Sequence, residues 1–167
     1  MTTLEPERDR LGMTAARVAG TPDVWLTAFS SGPWDHATPD GLRLVLDEEV
    51  LMTRLLEPSD PPATSVELDA HGHRLHAVVR DGDVVAAAGW VAVVGEHATF
   101  DRIETHPDHR RRGLASQVMR TLEAWALEQG ARTGLLAASA EGQALYVRLG
   151  WQVTARMTTL GSAPAPT

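Results

Sequence analysis

Three residue types are missing from this chain of 167 residues: cysteine, lysine and asparagine. The lack of cysteine excludes a disulfide framework and a thiolate nucleophile, and with them the small disulfide-rich secreted domains. Tyrosine occurs once, as Tyr146, so any chemistry that uses a phenol depends on that residue. The hydrophobic content of 43% is sufficient for one folded domain with its own core.

Long apolar runs are also missing. The longest, residues 84–94, is interrupted by Gly89 and is too short to span a bilayer. The first residues lack the basic, apolar and small-residue order of a secretory signal, so we expect a cytoplasmic protein. We divide the chain into a variable N-terminal segment (1–22), a single domain (23–160) and a flexible tail (161–167).

Negative charge is concentrated in the first part of the chain. Residues 1–100 carry a net charge of −9, whereas residues 101–167 carry +2. Nucleic-acid binding depends on phosphate contacts, so an acidic protein is a poor candidate for it. The arginines Arg110, Arg111 and Arg112 therefore fit a small phosphorylated ligand better. A nucleic-acid binder using these arginines is the alternative, and it predicts salt-dependent binding of DNA or RNA.

The hydrophobic pattern predicts a mixed α+β domain. In the first half, it indicates a helix from Asp23 over "DVWLTAFS", a strand at 42–46 and a helix over 47–58. Three antiparallel strands then follow in a meander, with Asp81-Gly82 and Gly95-Glu96 at the turns. After Pro107 the pattern predicts a helix over 113–130, a buried strand at 133–139, a short helix ending at Gly150 and a closing strand.

The turn before the long helix, Arg110–Ser116, combines three arginines with Gly113. A helix N-terminus has unpaired N–H groups and a partial positive charge, and a glycine there lets a phosphate approach closely. The pattern is compatible with an anion site, but taken alone an arginine-rich turn of this kind is more often a solvated basic turn before an ordinary helix. Neither GxxxxGK(S/T) nor GxGxxG occurs, which argues against a P-loop or a dinucleotide fold.

Two segments of the second half resemble a known family. Arg110-x-x-Gly113-x-Ala115 resembles the acetyl-CoA signature (Q/R)-x-x-G-x-(G/A) of the GNAT superfamily of N-acetyltransferases. The segment "SAEGQALYVRLGW" is similar to the superfamily's N-x-x-A-x-x-L-Y-x-x-L-G-F. In that segment Ser139 replaces the usual Asn, and Trp151 replaces the usual Phe. The resemblance covers about residues 75–157 and is loose over 1–74.

The resemblance implies a GNAT-like fold, in which helices flank a central, mostly antiparallel sheet with two strands that splay apart. Acetyl-CoA would place its pyrophosphate on the amides of Arg111 to Ser116, and an arginine would reach the adenosine 3′-phosphate. The pantetheine arm would run between the strand of Ile103–Thr105 and the strand ending at Ser139. The cofactor-binding residues so implied are Ile103, Glu104, Thr105, Arg110, Arg111, Arg112, Gly113, Leu114, Ala115, Ser116, Ser139 and Tyr146.

Acetyl transfer to an amine needs a proton donor for the departing thiolate and a proton acceptor for the amine. The resemblance implies Tyr146 as the acid, although a ring packed on the sheet with its hydroxyl at the surface is the alternative. It implies Glu104 as the base, directly or through water, with an exposed carboxylate paired to Arg102 as the alternative. The N–H near Thr105 is the candidate for polarising the thioester carbonyl, and Asp101 is an alternative lining of the acceptor pocket.

Strand alternation makes a further prediction about this region. Asp101, Ile103 and Thr105 should lie on one face of their strand, and Arg102, Glu104 and His106 on the other.

We therefore predict an acetyl-CoA-dependent N-acetyltransferase that acts on a primary amine by direct transfer in a ternary complex. The negative N-terminal half favours a small cationic acceptor, and we expect a homodimer with no membrane or nucleic-acid partner. His71, His73 and His76 lack the further ligands of a recognisable metal site, so no metal is expected. The alternative function is a non-catalytic acyl-CoA-binding module.

Overall fold

The computed structural model describes residues 8–19, 21, 23–33, 37–58 and 66–163. Residues 1–7 of the predicted N-terminal segment and residues 164–167 of the predicted tail lie outside this range. No helix within the described part is both long enough and apolar enough to cross a bilayer. The elements are, in chain order, α1 (Arg8–Val18), β1 (Trp25–Ser30), β2 (Leu42–Leu55), β3 (Glu67–His71), β4 (Arg74–Asp81), β5 (Val84–Val94), β6 (His97–Thr105), a 3-10 turn (Pro107–His109), α2 (Leu114–Glu128), β7 (Thr133–Ala138), α3 (Ala140–Arg148) and β8 (Gln152–Ser162).

The described residues divide into two compact units. The first contains the residues up to Met52, Ala138–Gln143 and the residues from Val153 onward, and the second contains Thr53–Ala137 and Ala144–Gln152. The strand order is β1-β8-β2 in the first unit and β7-β6-β5-β4-β3 in the second. β1 pairs with β8 antiparallel, and the neighbours from β3 to β6 are antiparallel as well. β6 and β7 are parallel, so the predicted α+β class with a mostly antiparallel sheet is confirmed.

Both helices predicted before residue 60 are wrong. The segment that follows Asp23 forms β1, which pairs with β8 over its whole length from Trp25 to Ser30. Residues 47–55 continue β2, where Val50 and Met52 are buried two positions apart. Over such short stretches apolar residues fit a period of two nearly as well as one of 3.6, and pairing with neighbouring strands decides in favour of the sheet.

The first unit has a small core under α1. Ala15 and Val18 of this helix are buried against Leu42 of β2 and Leu160 of β8. Ser162 Oγ donates hydrogen bonds to the carbonyls of Val18 and Thr21, which tie the end of α1 to β8. Part of the segment predicted to be variable therefore belongs to a packed helix.

The second unit contains the predicted meander, formed by β4, β5 and β6, with β3 as an additional edge strand. Helix α2 packs on these three strands of the meander. It buries Leu114, Val118, Leu122 and Ala126 at the spacing of one helix face, as its sequence predicts.

The aromatic core of the second unit requires glycine at position 134. A Cβ atom built there would lie 2.6 Å from Cη2 of Trp151, 3.0 Å from Cε2 of Phe100 and 3.1 Å from Cδ2 of Leu56. The rings of Trp151 and Phe100 meet edge to face, with centroids 5.3 Å apart, so a methyl group at position 134 would press on two rings that already contact each other.

We expect Gly134→Ala to lower the free energy of unfolding by about 1–3 kcal/mol, because the new methyl group overpacks two rigid rings. Urea or thermal unfolding measures the loss. Gly32→Ala is the matched control, since a Cβ atom at Gly32 meets nothing within 4 Å. Equal unfolding midpoints for the two variants would contradict the packing argument.

Candidate active site

Strands β6 and β7 part before either of them ends. Their last paired positions are Phe100 and Leu136, whereas β6 continues through Asp101 to Thr105. The predicted splay is therefore present, and it begins one residue after Phe100. On the side of β6 that faced β7, residues 101–105 have backbone groups that are not paired with β7, and backbone groups of this kind require some other partner.

The N–H group of Thr105 points into this opening. His106 N donates to the Ala86 carbonyl at 2.9 Å, and Thr105 lies directly opposite Ala87. In an antiparallel ladder successive residues direct their N–H groups to opposite sides. Since His106 points toward β5, Thr105 points away from it. The Thr105 carbonyl, on the same side, accepts a hydrogen bond from Arg110 Nε at 3.4 Å.

A bulge interrupts β6 at Arg102. Trp90 of β5 pairs with Asp101, and Ala88 pairs with Glu104. Two residues of β6, at positions 102 and 103, therefore lie opposite the single residue Gly89. Arg102 has a φ of 50°, in the left-handed region. The extra residue reverses the alternation that a regular strand would have.

The bulge corrects one sequence prediction. Directly opposed residues of an antiparallel pair share a face, so Asp101 and Glu104 lie on the face that carries Trp90 and Ala88. Ile103 lies on the other face, where its Cδ1 atom is 2.5 Å from the position of a Cβ at Gly89. The prediction that Asp101 shares a face with Ile103 and Thr105 is wrong, because it assumed an unbroken strand.

Helix α2 begins directly after Gly113, whose backbone lies in the left-handed region that favours glycine. Gly113 is the N-cap residue with φ 78° and no side-chain hydrogen bond caps the helix. A Cβ at Gly113 would meet no atom within 4 Å. The first helical hydrogen bond runs from Gln117 N to the Gly113 carbonyl. The N–H groups of Leu114, Ala115 and Ser116 precede it and have no acceptor within the helix.

An open cleft of about 480 Å³ lies at this helix start. Seven of the residues predicted to bind a cofactor line it. These are Thr105, Arg110, Arg111, Gly113, Leu114, Ala115 and Ser116. Leu145 and Arg148 of α3 complete the lining. Both were missed in the sequence, although their spacing of three residues puts them on one helix face.

The other predicted site residues do not line this cleft. Arg112 is directed to the hairpin turn, where its Nη1 lies 3.0 Å from Asp81 Oδ2 and 2.6 Å from His109 Nδ1. Ser139 belongs to the first unit, where its Oγ accepts a hydrogen bond from Gly142 N at 3.3 Å at the start of α3. Glu104 is exposed. Arg102, the ion-pair partner considered for Glu104, has its Nε atom 3.8 Å from Oδ2 of Asp101.

Tyr146 is buried on α3, with 8% of its surface exposed. Its ring meets that of Trp151 edge to face, with centroids 6.3 Å apart. Burial raises the pKa of the phenol above its ordinary value of 10.0, and the negative charge of Asp101 raises it further. The phenol therefore keeps its proton at neutral pH.

Two histidines of the sequence motif have different partners. His71 pairs with Asp69 at 2.9 Å, and His76 stacks on Trp90 with ring centroids 4.1 Å apart. Within the described ranges no group of three or more histidine, aspartate or glutamate side chains is arranged to hold a metal ion.

The single tyrosine makes its pKa directly measurable. In protein labelled with 13Cζ-tyrosine, we expect Tyr146 to titrate above its ordinary value and Asp101→Asn to lower that pKa, because the substitution removes a neighbouring negative charge. Asp69→Asn removes an equal charge from edge strand β3 and serves as control. If the Asp101→Asn and Asp69→Asn variants titrate alike, Asp101 does not act on the phenol.

Comparison with known proteins identifies the family. Residues 43–151 match the model of the acetyltransferase (GNAT) family. A GNAT-family protein from Novosphingobium aromaticivorans is 18% identical with a TM-score of 0.68, over 92% of this chain and 80% of that one. A GCN5-related N-acetyltransferase from Kribbella flavida is 19% identical with a TM-score of 0.59, over 75% and 61%. A tandem GNAT protein from the clavulanic acid biosynthesis pathway is 13% identical with a TM-score of 0.61, over 95% and 70%. No curated protein matches. The chain belongs to the GNAT acetyltransferase family. This membership supports acyl transfer from acetyl-CoA to an acceptor as its activity.

Proposed function

We propose that the protein is an N-acetyltransferase that moves the acetyl group of acetyl-CoA directly to a primary amine within a ternary complex. The observation that carries the proposal is the cleft at the start of α2, next to the side of β6 that β7 has left. A cleft suited to an anion therefore adjoins a strand with an unpaired side. Coenzyme A would use both, the cleft for its diphosphate and the strand for its amide-bearing arm.

The cleft fits the diphosphate of coenzyme A. The N–H groups of Leu114, Ala115 and Ser116 are available at the helix start, and the partial positive charge there favours an anion. Gly113 leaves space for close approach. Arg111 and Arg148 add positive charge to the lining, and their planar guanidinium groups suit phosphate oxygens.

The opened side of β6 fits the pantetheine arm. Its amide groups would pair with backbone groups of residues 101–105 that lack a β7 partner. Thr105 N–H would then donate to the thioester carbonyl, and charge that develops on this oxygen in the transition state is stabilised by such a donor.

In the proposed reaction the neutral amine nitrogen attacks the thioester carbonyl carbon, a C–N bond forms and the C–S bond breaks. The leaving thiolate takes the proton of the Tyr146 hydroxyl. The nitrogen loses its surplus proton to Glu104, directly or through water, and the phenolate is reprotonated from solvent. Tyr146 is in its protonated form at neutral pH, because burial and the charge of Asp101 hold the phenol pKa above its ordinary value, so a proton is present on the hydroxyl when the thiolate departs.

For the acceptor we propose a small cationic amine. The bulge brings Asp101 and Glu104 to one face of β6, so two negative charges lie on the strand that also holds Thr105. The net charge of −9 over residues 1–100 would attract cations during encounter. The homodimer expected from the sequence stays a prediction.

We expect wild-type protein to release free CoA when supplied with acetyl-CoA and a panel of primary amines, with cationic amines preferred over neutral and acidic ones. Tyr146→Phe should lower kcat about a hundredfold, as expected for loss of a general acid. The KM for acetyl-CoA should change little. Calorimetric binding of acetyl-CoA without turnover of any amine, unaffected by Tyr146→Phe, would favour the non-catalytic binding module instead.

We expect Arg148→Ala to weaken CoA binding about tenfold, because a charge-assisted hydrogen bond to phosphate is lost. Isothermal titration calorimetry with CoA measures the change. Arg112→Ala is the matched control, since Arg112 is engaged with Asp81 and does not line the cleft. Equal losses in both variants would mean that long-range charge, and not contact in the cleft, governs affinity.

A further inference from the structure

One carboxylate is buried on the apolar face of α2. Glu123 has 2% of its surface exposed and lies beside Leu122, which is fully buried. Burial raises the pKa of Glu123, an effect that the charge of Arg54 partly opposes. A buried carboxylate is costly unless it is paired and hydrogen-bonded, so its partners indicate what the residue does.

Glu123 has two partners from distant parts of the chain. Arg54 Nη1 lies 3.1 Å from Oε2 and 3.3 Å from Oε1. Trp151 Nε1 donates to Oε1 at 3.0 Å. The carboxylate therefore joins the end of β2 to the aromatic residue that follows α3.

Trp151 in turn contacts Tyr146 by backbone and by ring. Trp151 N donates to the Tyr146 carbonyl at 3.0 Å, and the two rings meet edge to face. The indole also packs on Phe100, the last residue of β6 that pairs with β7. The indole thus touches both the phenol-bearing helix and the point where the strands part.

A hydrogen bond to the indole orients the ring in a way that packing alone does not. A phenylalanine at position 151 would keep an aromatic ring, although a smaller one, and it has no donor that fixes its orientation. Apolar replacement of a buried ion pair is often neutral or stabilising, so stability alone does not account for Glu123. The hydrogen bond from the indole N–H to the Glu123 carboxylate favours one orientation of the Trp151 ring. The Tyr146 ring packs on the indole in that orientation.

We infer that Glu123 is a positioning residue for acetyl transfer: its carboxylate, paired with Arg54, orients Trp151, and the Trp151 ring holds the Tyr146 phenol toward the reacting sulfur. This inference rests on the proposed function. Glu123 itself touches neither substrate nor the reacting atoms.

Three variants separate this role from a general effect on folding. Trp151→Phe keeps the Glu123–Arg54 pair and an aromatic ring, and we expect kcat to fall about tenfold because the acid is misplaced. The KM for acetyl-CoA should stay within about twofold, since the cleft residues are untouched. Glu123→Leu should lower kcat similarly, whereas Glu123→Gln, whose carbonyl still accepts from the indole, should keep kcat within about threefold of wild type.

The control is Val79→Ala, which truncates a buried side chain of β4. It should lower the unfolding midpoint while leaving kcat unchanged. If Trp151→Phe and Glu123→Leu change kcat no more than Val79→Ala does, Glu123 is merely structural and the inference is overturned.

A spectroscopic measurement tests the same inference without turnover. The ring current of Trp151 shifts the ring-proton resonances of Tyr146, the single tyrosine. Glu123→Leu should move these resonances toward random-coil values, and Glu123→Gln should leave them in place. Resonances of Glu123→Leu that coincide with wild type overturn the positioning role. If the wild-type protein turns over no amine, the proposed function fails, while these resonances still decide whether Glu123 orients the phenol.

Discussion

The end of the pairing between β6 and β7 is the constraint on which the site depends. Up to Phe100 and Leu136 the two strands satisfy each other, and beyond that point β6 runs on alone to Thr105. A backbone edge within a protein demands partners. The Arg110 side chain supplies one for the Thr105 carbonyl, and the Thr105 N–H is directed to the same side. The proposed pairing of an amide-bearing ligand with β6 rests on these two strands, which stop pairing early.

The three consecutive arginines, Arg110 to Arg112, make different contacts although they are neighbours in the sequence. Arg110 and Arg111 line the cleft, whereas Arg112 turns to Asp81 and His109 at the β4–β5 hairpin. The ion pair with Asp81 joins the hairpin to the loop before α2. Exposed pairs of this kind add little stability, yet this one directs a guanidinium away from the cleft. The run of arginines therefore supplies both positive charge in the cleft lining and a contact between the hairpin and the loop before α2.

Much of the second unit could be predicted from sequence because its signals are local. Asp81-Gly82 specifies a hairpin, and the spacing of Leu114, Val118 and Leu122 specifies a helix. The two helices expected before residue 60 were wrong because strand pairing, a non-local effect, decides there. The bulge at Arg102 also left no local signal, since an arginine at positive φ is uncommon. The bulge puts Asp101 and Glu104 on one face of β6, and this could not be predicted from the sequence.

The aromatic centre of the second unit shows how a few residue choices depend on one another. Gly134 lacks a side chain where Cη2 of Trp151 needs space. The indole placed there reaches Glu123 with its N–H group, and the carboxylate requires Arg54 to offset its burial. A phenylalanine at position 151 would need neither the carboxylate nor the arginine. One cluster of packing and hydrogen bonding therefore includes Trp151, Glu123, Arg54 and Gly134. The Tyr146 ring contacts this cluster through Trp151.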